Sequence, residues 1–296
     1  MKKQRQMSVR MVRMKRIMIM SIVVALCLIG AGATARADNL AYFAGNDGQF
    51  GVLDLDTGNY TQLGNFLING SGSAVELNGL GVANGQLFGN PNVGGSSSPL
   101  YSVNPNNGSL TLIGGSFNAW GGFGSTTTGL YALTTGSTAY LYSIDPATGA
   151  ATPSGGLATT TQRGVDWGLS TNSNTLYYGG NGYLYALNTS DGSTVASYRF
   201  QDSSGNTVYI GAMIEEGGIL YGVDNNRTIW EINPSTGVVT YHASFSLSLN
   251  SNGTVELCDG LAPDPLPSSS VPLPAPLLLL GSGLVGLVGV RRRFKG

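Results

Sequence analysis

Charge, cysteine and histidine are all scarce in this chain of 296 residues, of which only 10% are charged, against about 25% in an average soluble protein. There is one histidine, His242. A multi-histidine metal site needs more imidazoles than that, and a catalytic triad needs partners other than carboxylates. His242 lies in Val239-Thr240-Tyr241-His242-Ala243 and reads as a surface residue of an outer strand. Of the two cysteines, Cys27 sits in an N-terminal apolar run, which leaves Cys258 without an intramolecular disulfide partner in the body. It reads as a buried thiol. No cofactor is expected, and no metal.

Lysine is absent between Asp38 and Asp264, although all 16 acidic residues lie there. Only Arg163, Arg199 and Arg227 oppose them, so the body carries an excess of 13 negative charges. Such a surface repels phosphate backbones and excludes nucleic acid as a partner. Divalent cations or neutral sugars suit it better. What is abundant is glycine, 45 residues of it, with much Ser, Thr and Asn, and the hydrophobic share is 42%. That composition belongs to a turn-rich, β-rich extracellular protein with a packed core.

The missing positive charge is at the two ends. Residues 1–37 place seven Lys and Arg before an apolar run from Ile17 to Ala31, followed by Ala35-Arg36-Ala37. This is the order of a secretory signal peptide, with cleavage expected before Asp38. The run is shorter than the ~20 residues of a spanning helix. At the other end a Pro/Ser linker, residues 266–270, leads to Val271-Pro272-Leu273-Pro274. An apolar run from Leu277 to Val290 follows, and then Arg291-Arg292-Arg293-Phe294-Lys295. Proline keeps the first part extended, and the basic end favours the cytoplasmic side.

Residues 271–296 resemble the PEP-CTERM sorting signal of Gram-negative bacteria, in which a Val-Pro-Glu-Pro box, an apolar helix and an Arg cluster are processed by an exosortase. The matching positions are Val271, Pro272 and Pro274, with Leu273 where the family has Glu, and Arg291, Arg292 and Arg293. The resemblance implies an exosortase-type partner and transient contact of the tail with the inner membrane. It also implies delivery to the cell surface or extracellular matrix, in association with exopolysaccharide and biofilm. It says nothing about the body.

Residues 38–265 repeat a motif: an aromatic or Val, any residue, an aliphatic, Asp or Asn, turn residues, then Gly. Examples are Tyr142-Ser143-Ile144-Asp145-Pro146-Ala147-Thr148-Gly149 and Trp230-Glu231-Ile232-Asn233-Pro234-Ser235-Thr236-Gly237. The motif glycines are Gly58, Gly108, Gly149, Gly192 and Gly237, spaced by 50, 41, 43 and 45 residues, which is the period of propeller blades. Asp or Asn caps the turn through its side chain and Gly takes the positive φ, so each motif is a hairpin between antiparallel strands. A second strand precedes each hairpin, as in Gly218-Ile219-Leu220-Tyr221-Gly222, and a glycine-bearing strand precedes that. The reading is an all-β, five-bladed β-propeller of four-stranded blades. The first unit lacks an inner strand, and Val255 to Ala262, which parallels Val75 to Gly81, is expected to supply it and close the ring. A β-sandwich or a solenoid with similar hairpins is the plainer alternative.

Candidate ligand-binding residues are Asp166, Trp167, Asp259 and Trp120, placed by the repeat around a central channel. Glu76 and Glu256 occupy equivalent positions and read as structural. Aromatics beside carboxylates suit a sugar. Two carboxyl groups about 5–9 Å apart would permit glycoside hydrolysis, so a carbohydrate-active enzyme is the alternative to a non-enzymatic binding or scaffolding protein. Asp54-Leu55-Asp56-Thr57-Gly58 lacks the remaining ligands of a calcium loop and reads as a turn.

Overall fold

The computed structural model describes residues 39–45, 47–91, 98–117, 122–134, 139–157, 167–171, 173–245 and 258–263. The expected signal peptide, linker and sorting tail lie outside them. The described residues form strands and turns within one compact unit, Asp38–Leu266. β1 (Leu40–Gly45), β2 (Gln49–Asp54) and β3 (Tyr60–Asn65) form an antiparallel meander, followed by the short β4 (Leu67–Ile68). The next meander is β5 (Leu77–Ala83), β6 (Gln86–Pro91), β7 (Ser98–Val103) and β8 (Ser109–Phe117). It is followed by β9 (Gly122–Thr126), β10 (Gly129–Leu133), β11 (Ala139–Ile144) and β12 (Ala151–Leu157). Then come β13 (Trp167–Thr171), β14 (Leu176–Gly180), β15 (Tyr183–Leu187) and β16 (Thr194–Arg199). The last meander is β17 (Ile210–Glu216), β18 (Ile219–Asp224), β19 (Thr228–Ile232) and β20 (Val239–Ser244). β21 (Cys258–Pro263) returns to pair antiparallel with β1, making the order β21-β1-β2-β3 and giving the first meander its fourth strand. The result is an all-β, propeller-like body.

The repeated hairpins are built alike. The side-chain oxygen of Asp54, Asn104, Asp145, Asn188 or Asn233 accepts the N–H two residues on at 2.9–3.0 Å. The motif glycine then bonds back to the carbonyl of the same capping residue, for instance Gly58 to Asp54 at 2.8 Å and Gly237 to Asn233 at 2.9 Å. Its φ is +73° at Gly58 and +72° at Gly237, the left-handed conformation that glycine adopts without strain.

These glycines have a second duty that is tertiary. Each lies against the outer strand of the meander before it. A Cβ on Gly237 would stand 2.5 Å from the carbonyl oxygen of Arg199, and one on Gly192 would stand 2.9 Å from that of Gly155. Gly108 abuts Asn65 and Phe50 in the same way, Gly149 abuts Gly114, and Gly58 abuts the carbonyl of Ser244 on β20. The last of these contacts joins the final meander to the first.

Each outer strand also carries a one-residue bulge near the motif glycine, and β8 has a second register shift closer to its end. The register skips Leu63, Ile113, Ser154, Val195 and His242. In four of the meanders the extra residue lies five positions after the motif glycine; at Val195 it comes earlier. A bulge bends the strand and re-aims its side chains.

The core is a series of apolar clusters on the strand faces. One contains Ala41, Phe43, Leu53 and Leu55 of the first meander, Ile214, Tyr221, Val223 and Ile229 of the last, and Leu261 of β21. Phe43 packs edge-on against Phe245 at 5.7 Å. This cluster glues the seam between the two ends of the chain's body.

Candidate functional site

The first strands of neighbouring meanders run side by side. β5 and β9 pair in parallel at Gly79–Phe123, and β13 and β17 at Ser170–Met213 and Thr171–Ile214. Buried hydroxyls tie this layer together. Ser125 Oγ accepts the Val82 N–H at 3.1 Å, and Ser170 Oγ accepts that of Tyr177 at 2.9 Å. Thr171 Oγ1 donates to the Leu261 carbonyl at 2.8 Å, linking β13 to β21. Of the expected ligand residues, Trp167 opens β13 and Asp259 is the second residue of β21, so the backbone places them on the two strands that this bond joins. Asp166, Trp120 and Glu256 lie outside the described residues, and Glu76 is exposed ahead of β5.

The Asp54 segment is a turn lock. Asp54 Oδ1 accepts the N–H groups of Asp56 and Thr57 at 2.9 and 3.2 Å, and its Oδ2 accepts the Thr57 hydroxyl at 2.6 Å. Asp145 is held below the ordinary carboxylate range by the Ala147 N–H and the Thr148 hydroxyl, and Asp202 by the side chain and N–H of Asn206. Asp224 is a carboxylate the repeat pattern does not single out. It is buried, at 6% exposure, and accepts N–H groups from Asn226 and Thr228 at 2.8 Å and from the Trp230 indole at 2.9 Å. It organises the turn that carries Arg227 at φ +63°.

His242 is not the surface residue its strand position predicts. The bulge turns it into the seam between the last and first meanders, where its side chain is 16% exposed. Nδ1 lies 2.7 Å from Glu231 Oε1, and Nε2 lies 3.6 Å from Asp56 Oδ1. The ring stands edge-on to Tyr221, with centroids 5.3 Å apart. Asn39 Nδ2 donates to Asp56 Oδ1 at 3.1 Å and lies 3.4 Å from the Tyr221 hydroxyl. The two ring nitrogens face different carboxylates on different elements, so the arrangement bridges two acids and does not converge on one ion.

Glu231 also lines a groove of about 620 Å³ that runs over the last meander toward the start of β14. Asn174, Tyr177, Glu215, Asn233 and Thr240 are among its walls. Burial, with a smaller contribution from Glu215, pushes the Tyr177 hydroxyl up from its ordinary value. Hydroxyl, amide and carboxylate groups beside the apolar Ile219 and Leu220 can hydrogen-bond a polyhydroxylated ligand while packing its carbon face. The sequence offers no motif for this groove, because its walls come from three separate stretches.

No family model matches the chain, and no curated protein matches it. Among solved structures, a glutaminyl cyclase from Myxococcus xanthus shares 20% identity over 64% of this chain and 71% of its own, with a TM-score of 0.41. BamB from Moraxella catarrhalis shares 15% over 69% and 58%, with a TM-score of 0.36. The WD40 β-propeller domain of Doa1 shares 11% over 74% and 66%, with a TM-score of 0.39. At these values the similarity assigns no activity to this chain.

Proposed function

We propose that the chain is an exported, non-enzymatic protein of the cell surface or extracellular matrix, whose body is one closed five-bladed propeller that binds or scaffolds polysaccharide. The groove over the last meander carries this reading. It sets hydroxyl, amide and carboxylate groups around apolar residues in a body that has no lysine and a large excess of acid. Such a surface favours neutral, hydroxyl-rich ligands over phosphate polymers. The cyclic nesting of the motif glycines, from Gly108 on Asn65 round to Gly58 on Ser244, supports the count of five blades. The turn carboxylates are occupied by backbone N–H groups, which supports a structural role for them.

On this reading the N-terminal leader delivers the chain across the inner membrane. The tail holds it there until an exosortase-type enzyme acts at the box around Val271, Pro272 and Pro274. Arg291, Arg292 and Arg293 stay on the cytoplasmic side. The test is fractionation of a Gram-negative host that carries such a sorting enzyme and produces the full chain. The expected product begins at Asp38, has lost the Arg cluster and is found in the surface or matrix fraction. A full-length product held in the cytoplasm or the inner membrane would overturn the proposal.

A further inference from the structure

We infer that His242 is a proton-operated clasp that tightens the seam between the last meander and the first. The seam is where the two ends of the body meet, and three observations converge on it. Gly58 nests on Ser244, two residues from His242. The apolar cluster of Phe43, Leu53, Tyr221 and Ile229 fills the space between the two sheets. The imidazole spans from Glu231 on β19 to Asp56 in the β2–β3 turn.

The chemistry of the ring makes this contact two-valued. With Nδ1–H donating to Glu231, a neutral imidazole presents a lone pair at Nε2. That atom is buried, has no hydrogen-bond partner and faces Asp56 Oδ1 at 3.6 Å. Acceptor then faces acceptor across the seam. A proton on Nε2 turns this contact into a charge-assisted bridge from Glu231 through the ring to Asp56, and such bridges are stronger than neutral ones. Asp56 is braced for it, because Asn39 donates to its Oδ1 at 3.1 Å and its own N–H bonds Asp54 Oδ1 at 2.9 Å. The titratable groups around the ring are Glu231 from β19, Asp56 from the β2–β3 turn and the Tyr221 phenol from β18, with Tyr60 of β3 packed on the same apolar cluster. Imidazole is the side chain that changes charge between about pH 5 and 8. Acidification therefore fastens the first blade to the last, and a rise in pH loosens them while the apolar packing stays in place.

The single histidine supplies its own reporter, since the full-length protein has one imidazole Cε1–H resonance. The experiment follows that resonance from pH 8 to pH 5.5 alongside hydrogen exchange of the β20 and β2–β3 turn amides, corrected for intrinsic rates. Seam amides are expected to exchange about tenfold more slowly at pH 5.5 than at pH 8, with a midpoint that tracks the imidazole resonance. In His242→Gln the exchange should not vary with pH. In Asp56→Asn, which keeps the histidine, the pH-linked protection should fall severalfold while the resonance still titrates. If the resonance titrates and seam exchange does not follow it, or if Asp56→Asn keeps the full effect, the clasp is refuted. The wild-type measurement alone decides the matter if either variant fails to fold.

Discussion

Gly58, in the first of the repeated hairpins, lies against the carbonyl oxygen of Ser244 on the last outer strand. Almost two hundred residues separate them, and the contact repeats what Gly237 makes with Arg199 between the last two meanders. Two costs therefore bear on substitution of Gly58. An alanine there would be strained at φ +73°, and its methyl would strike the backbone of the neighbouring sheet. Gly205 separates the two effects, because it has φ +83° and open space where a Cβ would go. Gly205→Ala should cost about 1–2 kcal/mol, the left-handed penalty alone. Gly58→Ala should cost about 1–3 kcal/mol more, the range of overpacking. Urea unfolding of the two variants measures the difference, and equal losses would mean that the first and last meanders do not touch at this point.

Thr171 supports the inner layer through one bond, from its hydroxyl to the Leu261 carbonyl at 2.8 Å, with the residue 1% exposed. Thr171→Val keeps the shape and removes the donor. It should destabilise by about 1–3 kcal/mol, the cost of a buried unsatisfied carbonyl. Thr61→Val, at an exposed position of the outer strand β3, should change stability by less than about 0.5 kcal/mol. Chemical denaturation of both variants is the check.

Alkaline titration should find an outlier among the tyrosines. Burial pushes Tyr178 up to about 12, with Tyr185 stacked on it at 5.7 Å as a second cause. Its folded value lies above the ordinary one near 10, so the folded state holds that proton more tightly. The stabilisation is complete below about pH 10 and fades as pH rises toward 12. Absorbance of the phenolate should show fewer tyrosines titrating near pH 10 in the folded wild type than in urea, because Tyr177 and Tyr185 are raised as well as Tyr178. Tyr178→Phe should leave the folded titration near pH 10 unchanged.

The turn aspartates predict the opposite edge of the stability profile. Asp145 is lowered by the Ala147 N–H and the Thr148 hydroxyl. A depressed folded value contributes stability above the unfolded value of about 4, and this is lost as pH falls through the folded one. The gap in melting temperature between wild type and Asp145→Ala should be constant from pH 5 to 7 and shrink below about pH 4. A gap that grows on acidification would contradict the turn lock.

Much of this architecture was legible in the residues. Asp or Asn, turn residues and then Gly named each hairpin, and the likeness of the Val255–Ala262 segment to Val75–Gly81 anticipated the strand that pairs with β1. The local signal was strong because the turn chemistry is carried by adjacent residues. Tertiary facts were hidden for the same reason. The nesting of Gly58 on Ser244 needs the fold, since positive φ alone already accounts for a glycine there. β4 is two residues long, and its parallel pairing with β8 leaves no periodic trace. His242 was misplaced because alternation assumes an unbroken strand, and the bulge between Tyr241 and Ala243 breaks it. The clue was its position five residues after Gly237, matching Leu63, Ile113 and Ser154. The proposed ligand residues are read from the repeat, of which the described strands carry Trp167 and Asp259.

Co-sedimentation of the mature, exported protein with the matrix polysaccharide of its host tests the central claim most directly, when the length of the polysaccharide is read in the same sample. Binding without catalysis predicts that the protein pellets with the polymer and that the chain-length distribution does not change. Protein left in the supernatant, or polymer shortened in its presence, would contradict the account.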